Sequence, residues 1–206
     1  MKNNWKTKKL GEVCEVFADG DWIEKKNQST SGIRLIQTGN IGNGYFLDRG
    51  KKARYISEDT FKRLRCTEVL PGDCLLSRLP DPVGRACLIP DIGQKMITAV
   101  DCTIMRFKKD ILPKWFIYYS LSPDYQSEIN KEVTGATRQR ISRSNLDNVK
   151  IPVPPLSEQK RLVKVFDEAF ANTKKLETIY RQKLADLEEL KKSILQKAFN
   201  GELAKA

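Results

Sequence analysis

The stretch Ile151-Pro152-Val153-Pro154-Pro155-Leu156 divides the chain more sharply than any other feature. Its prolines fix φ and remove backbone donors, so they exclude a helix or a central strand and predict a stiff, extended connector. Beyond it, residues 158–199 contain neither proline nor glycine. Ser157 reads as a helix N-cap with Glu158 in the first turn, and Asn200-Gly201 as a stop signal. One helix of roughly 60 Å is expected between them. Phe166, Thr173, Tyr180, Leu187 and Ile194 recur every seven residues along it. Leu162, Ala169, Leu176 and Leu190 flank that line on one side, and Phe170, Leu184 and Ala198 on the other. This is the spacing of a coiled-coil-like seam. A small domain at one end cannot cover so long a stripe, so the expected partner is a helix from another chain. The alternative is a helix folded back on its own domain.

The segment before the connector reads as a mixed, strand-rich α+β domain. Strands are expected at Glu12–Phe17, Ile33–Gln37, Gly44–Leu47, Ala53–Ile56 and Cys74–Arg78, with Gly84–Ile89 and Lys95–Phe107 continuing the pattern. Ser57 is a suitable N-cap for a short helix towards Leu64, and Leu70-Pro71-Gly72-Asp73 is a turn. Pro113 suits the start of a helix over Lys114–Leu121, and Ser122-Pro123 separates it from a second over Asp124–Val133. The expected division is residues 1–151 as the α/β domain, 152–156 as the connector, 157–200 as the helix and 201–206 as a tail.

The 206 residues carry 37 Lys+Arg against 26 Asp+Glu, a net charge of +11. Such an excess favours a polyanionic partner. The chain has no histidine, and its five cysteines lack paired zinc spacing, so neither a bound metal nor the commonest acid–base residue is expected. The thiols read as reduced and buried in a cytoplasmic protein. MKNNWKTKKL lacks the apolar core of a signal peptide, and no segment reads as a membrane span. Gly39, Gly42 and Gly44 lack dinucleotide-loop spacing, and Asp81-Pro82-Val83 lacks the aromatic of an amino-methyltransferase signature. Pro123-Asp124 with Glu158-Gln159-Lys160 matches a nuclease pattern only loosely and straddles the connector. No catalytic residue is assigned. A stand-alone nuclease and a protein scaffold with an incidental basic surface are the competing function classes.

Candidate DNA contacts fall into three segments. Gln37, Thr38, Asn40 and Asn43 lie in a glycine-rich polar loop. Tyr45 and the following basic run, with Lys51, Lys52 and Arg54, form the second group. Thr137, Arg138, Gln139, Arg140 and Arg143 form the third group, and Arg78 and Arg85 are further basic candidates. Arg pairs bidentately with guanine edges, Gln and Asn with adenine, and Ser, Thr and Lys suit phosphates.

Residues Thr134-Gly135-Ala136-Thr137-Arg138-Gln139, Ile141-Ser142, Leu146 and Ile151 to Gln159 together resemble the specificity subunit of type I restriction–modification systems. Trp5 with Leu10-Gly11-Glu12-Val13, Gln37 to Ile41 and Leu70 to Leu75 fit the same family, so the resemblance spans nearly the whole chain. The P-x-P-P-L-x-E-Q element is its most specific part. The chain departs in carrying Arg138 ahead of Gln139, and in having one recognition domain and one long helix where the usual member has two of each. The resemblance implies a non-catalytic, half-size subunit that reads half of a bipartite double-stranded DNA target. It implies methyltransferase subunits that use S-adenosylmethionine, and a motor–nuclease (restriction) subunit that uses ATP and Mg, with no cofactor on this chain. Two copies pairing through antiparallel helices, with the 166/173/180/187/194 seam buried, would read an interrupted palindrome.

Overall fold

The computed structural model describes residues 5–204. The first four residues of the expected recognition domain and the last two of the tail lie outside the described residues. The chain divides into two compact units, Met1–Val163 and Lys164–Ala206.

In the first unit the strands are β1 (Lys6–Lys9), β2 (Cys14–Asp19), β3 (Ile33–Ile36), β4 (Arg54–Ile56), β5 (Cys74–Ser77), β6 (Ala86–Leu88), β7 (Met96–Thr98), β8 (Cys102–Phe107) and β9 (Lys150–Val153). The helices are α1 (Glu58–Leu64), α2 (Pro113–Ser120), α3 (Pro123–Glu132) and α4 (Arg143–Asn148), and a fifth, α5 (Leu156–Phe199), begins in this unit. Among the described residues the sheets run β1-β9, β2-β8-β5-β6 and β4-β3-β7. All neighbours are antiparallel except β3 and β7.

The four-stranded sheet is the centre of the domain because both of its faces are covered. Cys74, Leu76, Ala86, Met105 and Phe107 pack with Phe116, Tyr125, Ile129 and Leu146 from the helices. Leu75, Cys87, Cys102 and Ile104 pack with Ile36, Ile41 and Met96 on the other side. A strand buried on both faces has no polar alternation, which explains the unbroken run Cys74-Leu75-Leu76. Helix starts follow local chemistry. Ser57 Oγ accepts from Thr60 N at 3.1 Å, Ser122 Oγ from Tyr125 N at 3.2 Å, and Pro113 opens α2.

Four expectations change. Gly44–Leu47 forms no strand; Ile41 and Phe46 make a single bridge. There Gly42 N donates to Tyr45 O and the Asn40 amide donates to Leu47 O, so a tight turn takes the groups a ladder would need. Strand β1 has no apolar alternation to reveal it. Helix α4 has one buried residue, Leu146, and is started by Ser142 Oγ accepting from Asn145 N at 3.0 Å. Finally, Pro152 lies within β9, opposite Thr7, in a two-stranded sheet. A strand with only one paired neighbour tolerates the missing donor. Helix α5 therefore starts at Leu156, and Ser157 is inside its first turn.

Gln159 explains the sequence around the start of α5. It is fully buried, accepts from Leu112 N at 2.8 Å, and donates to Asp110 O and Pro154 O, each at 2.9 Å. One amide thus ties the first turn of the helix to the approach to α2. The helix stops at Phe199, where Gly201 adopts φ +75°. Among the described residues no helix is long and apolar enough to cross a membrane.

All five cysteines are free and buried. Burial raises Cys14, Cys87 and Cys102 from an ordinary 9.0 to about 12 and Cys66 to about 11. Above pH ~9 an unfolded chain gains thiolates that the fold cannot accept. Unfolding free energy is therefore expected to be fully retained below that pH and to fall as pH rises towards the folded-state values. Urea midpoints measured across this range check it; a midpoint flat to pH 11 would contradict it.

Candidate nucleic-acid interface

The first basic surface begins on β3. Its sequence, Ile33-Arg34-Leu35-Ile36, is buried throughout, so Arg34 is a cation within an apolar strand. Arg34 faces Tyr55 of β4 in the register, with its guanidinium 5.5 Å from that ring's centre. Its Nη2 lies 3.3 Å from Asp48 Oδ1. Its side chain is 3% exposed, and its Nη1 is buried with no hydrogen-bond partner.

Immediately after β3, Thr38–Asn40 form a single 3-10 turn. Gln37 N donates to Asn40 Oδ1 at 3.0 Å, which fixes the turn. The guanidinium of Arg49 lies across it: a Cβ on Gly39 would come within 3.0 Å of Arg49 Nη1. Between these elements is a cavity of ≈ 250 Å³, lined by Arg34, Leu35, Gln37, Thr38, Gly39, Asn40, Arg49, Lys52 and Arg54. Four of those nine are cations.

The second basic surface is the segment 134–143. Thr134 and Arg140 exchange two backbone hydrogen bonds of 2.9 Å, closing a loop whose residues Gly135 to Gln139 are all exposed. Gly135 has φ +97°, and a Cβ there would meet Arg138 O at 2.4 Å, so the loop needs glycine. Ile141 N then donates to Arg78 O, joining the loop to the exit of β5.

Near that exit, Asp19 pairs with Arg78 Nε at 3.5 Å and with Arg143 Nε at 3.6 Å. Burial raises the Asp19 carboxyl above its ordinary value, while Arg78, Arg143 and Arg140 pull it back down. Arg85 closes the other side. It donates to Ile41 O, Leu79 O, Pro82 O and Thr38 O at 2.7 to 3.2 Å. The Leu79–Pro82 turn is thus bound to the Thr38 turn through Arg85, and the neighbouring Arg78 to the 134–143 segment. Tertiary structure places two basic segments about a hundred residues apart in sequence on either side of one turn.

The candidates separate accordingly. Gln37, Thr38, Lys52 and Arg54 line the cavity, with Lys51 beside it. Asn43 and Tyr45 are exposed, as are Thr137, Arg138, Gln139, Arg140 and Arg143. Asn40, Arg78 and Arg85 are buried. Asn40 and Arg85 spend their polar groups on backbone, and Arg78 spends Nη2 on Val100 O at 2.6 Å. Asn40 and Arg85 thus direct their polar groups into the fold, while Arg78 Nε is buried beside Asp19 with no hydrogen-bond partner. Arg34, Arg49 and the 70%-exposed Trp22 were not singled out from sequence. For Arg34 the signal was present: a charge at the centre of an apolar strand.

In the second unit, Phe166, Tyr180, Leu187 and Ile194 are 37%, 60%, 61% and 48% exposed, and Thr173 is exposed with its hydroxyl donating to Ala169 O. Glu158, near the start of the helix, is held by Arg161 through two hydrogen bonds of 2.7 and 2.8 Å. Among the described residues no cluster of three or more His, Cys, Asp or Glu could hold a metal ion.

The family model for the type I restriction modification DNA specificity domain matches residues 2–188. The MjaVIII specificity subunit of a type I restriction enzyme from Methanocaldococcus jannaschii is 24% identical over 207 residues, covering 98% of this chain and 47% of that protein. The EcoBI specificity subunit from Escherichia coli is 28% identical over 182 residues, covering 88% of this chain and 38% of that protein. The HsdS subunit from Thermoanaerobacter tengcongensis superposes with a TM-score of 0.67 at 24% identity, over 98% of this chain and 46% of that one. A chain from a structure addressing complex assembly and conformational transition of the type I R-M system superposes at 0.75, with 24% identity over 98% of this chain and 47% of its own. At these identities the likeness to the solved structures is one of fold. The chain spans about half the length of the curated relatives it matches.

Proposed function

We propose, for a chain that belongs to the type I restriction modification DNA specificity domain family, that it reads one half of a bipartite target in double-stranded DNA. The role is recognition, not catalysis. Methyltransferase subunits bind it and supply the S-adenosylmethionine chemistry, and a restriction subunit supplies ATP- and Mg-dependent cleavage. The observation that carries this reading is the exposed loop Gly135 to Gln139, closed by the Thr134–Arg140 hydrogen bonds and flanked by Arg143. A closed loop presents Arg138 and Gln139 with little freedom left to lose, and these are side chains that read base edges.

The apolar seam on α5 supports the second part of the proposal. Two copies pair through antiparallel helices, so that two recognition domains address one duplex with two-fold symmetry. A 44-residue helix is roughly 66 Å long, about two turns of B-DNA. The paired helices then serve as a ruler between half-sites.

Arg138→Ala tests the reading head. Its affinity for target DNA, selected from a random duplex pool with the methyltransferase present, is expected to fall by about 1–3 kcal/mol, with relaxed choice at one position. An unchanged affinity and target would remove Arg138 from the interface. A wild-type chain whose binding selects no sequence would refute DNA reading and leave a basic scaffold.

A further inference from the structure

We propose that the cavity between β3, the Thr38 turn and the Arg49–Arg54 segment is a phosphodiester socket that holds one backbone phosphate of bound DNA. The inference rests on the DNA-reading function and adds to it a specific ligand group and the residues that take it. Three features of the cavity lead there.

The first is Arg34. Its side chain is 97% buried by virtue of 3% exposure, Asp48 engages only Nη2, and Nη1 has no acceptor within the protein. A buried guanidinium N–H without an acceptor is unfavourable, and Arg34 is one of the residues that line the cavity, so an anion oxygen entering there, with a small shift of the side chain, supplies the missing acceptor. The second is charge. Arg34, Arg49, Lys52 and Arg54 share the lining, and Asp48 is the carboxylate paired there, with 69% of its side chain exposed. Such a set repels itself until an anion enters, and guanidinium forks match the oxygens of a phosphate. The third is what the lining lacks. No aromatic ring is among its residues, so a flipped or unpaired base would find only guanidinium planes already crowded with like charge. Phosphate, not base, fits the chemistry.

Gly39 completes the socket. Its bare Cα leaves the space over the turn to Arg49, whose Nη1 and Cζ lie 3.0 and 3.2 Å from where a Cβ would stand. A branched side chain there would displace Arg49 without changing the charge of the protein.

The experiment measures binding of the full chain to a labelled duplex by fluorescence anisotropy across a KCl series. It compares wild type with the Arg49→Gln/Arg54→Gln double variant and with Gly39→Val. Melting curves confirm that each folds, and Arg34 is left intact because it is part of the core. Both variants are expected to reduce the slope of log affinity against log salt by about one, the signature of one lost phosphate contact. Affinity should drop by a similar factor on every duplex, with target choice unaltered. An unchanged slope in both variants overturns the proposal, as does an altered target choice with the slope retained.

A second arm adds inorganic phosphate against KCl of equal ionic strength and follows melting temperature. A phosphate-specific rise in wild type that both variants lose supports the socket chemistry. That rise together with unchanged DNA slopes assigns the cavity to free phosphate and overturns the backbone role. A wild-type chain with no DNA affinity defeats the DNA-reading function, while the phosphate arm still decides whether the cavity accepts phosphate.

Discussion

Replacing Asp73 by alanine is expected to destabilise the recognition domain by about 3 kcal/mol, near the lower end for a broken buried ion pair. Asp73 is 2% exposed and receives Arg106 in bidentate form, Nε to Oδ1 and Nη2 to Oδ2, both at 2.8 Å. The same Oδ2 accepts from Leu70 N at 2.8 Å, so this carboxylate also closes the Leu70–Asp73 turn. Its partner joins neighbouring strands of the central sheet: Asp73 directly precedes β5, and Arg106 belongs to β8. Removing it orphans a backbone N–H and a guanidinium. Arg106 keeps 33% exposure of its side chain, so water relieves part of its loss, which places the effect at the low end. A shift of that size lowers the melting temperature by roughly 6–12 °C in a domain of this length. Asp73→Asn can still accept from Leu70 N, so it should recover part of the loss. Melting both variants beside wild type tests this. An alanine variant as stable as wild type would show that the pair contributes nothing beyond its desolvation.

Under the proposed antiparallel pairing, the double substitution Leu187→Asp/Ile194→Asp is expected to convert the paired chain into a monomer. Both residues lie on the seven-residue line of α5, and they are 61% and 48% exposed in the single chain. Pairing would bury them, and with two-fold symmetry it would bury four new carboxylates per dimer. Each buried unpaired ion costs several kcal/mol, and about 1.4 kcal/mol is tenfold in dissociation constant. The dissociation constant is therefore expected to rise by at least ~10³-fold. Multi-angle light scattering should give the mass of two chains for wild type and of one for the variant, with the fold of the recognition domain unaffected. A wild-type chain that remains one-chain in mass at every concentration, with methyltransferase and DNA present, would end the pairing proposal.

The sites show which inferences a sequence supports. Ser57 and Pro113 started helices where sequence placed them, and Ser122, read there only as a break, caps the next one, because capping is decided within a few residues. Gln159 was quoted only as part of a motif. The structure gives it a task, three hydrogen bonds that fasten the helix to backbone 5 to 49 residues away. Asn40, Arg78 and Arg85, named from sequence as candidate DNA contacts, are all buried in the folded chain, a property their residue types do not reveal. Conversely, Arg34 was passed over and Arg49 counted only as the start of a basic run, and both line the cavity.

From the sequence alone came the family resemblance, the mixed α+β class, the long helix with its stop at Asn200-Gly201, and the seven-residue seam. Each is written in periodicity or in motifs of neighbouring residues, which the backbone obeys locally. Only the tertiary structure decided which cations remain available to a partner. Arg85 is occupied by carbonyls as far as 47 residues away, whereas Arg34 keeps one donor unpaired. A guanidinium carries the same charge wherever it sits. What it can bind depends on acceptors that only folding brings near.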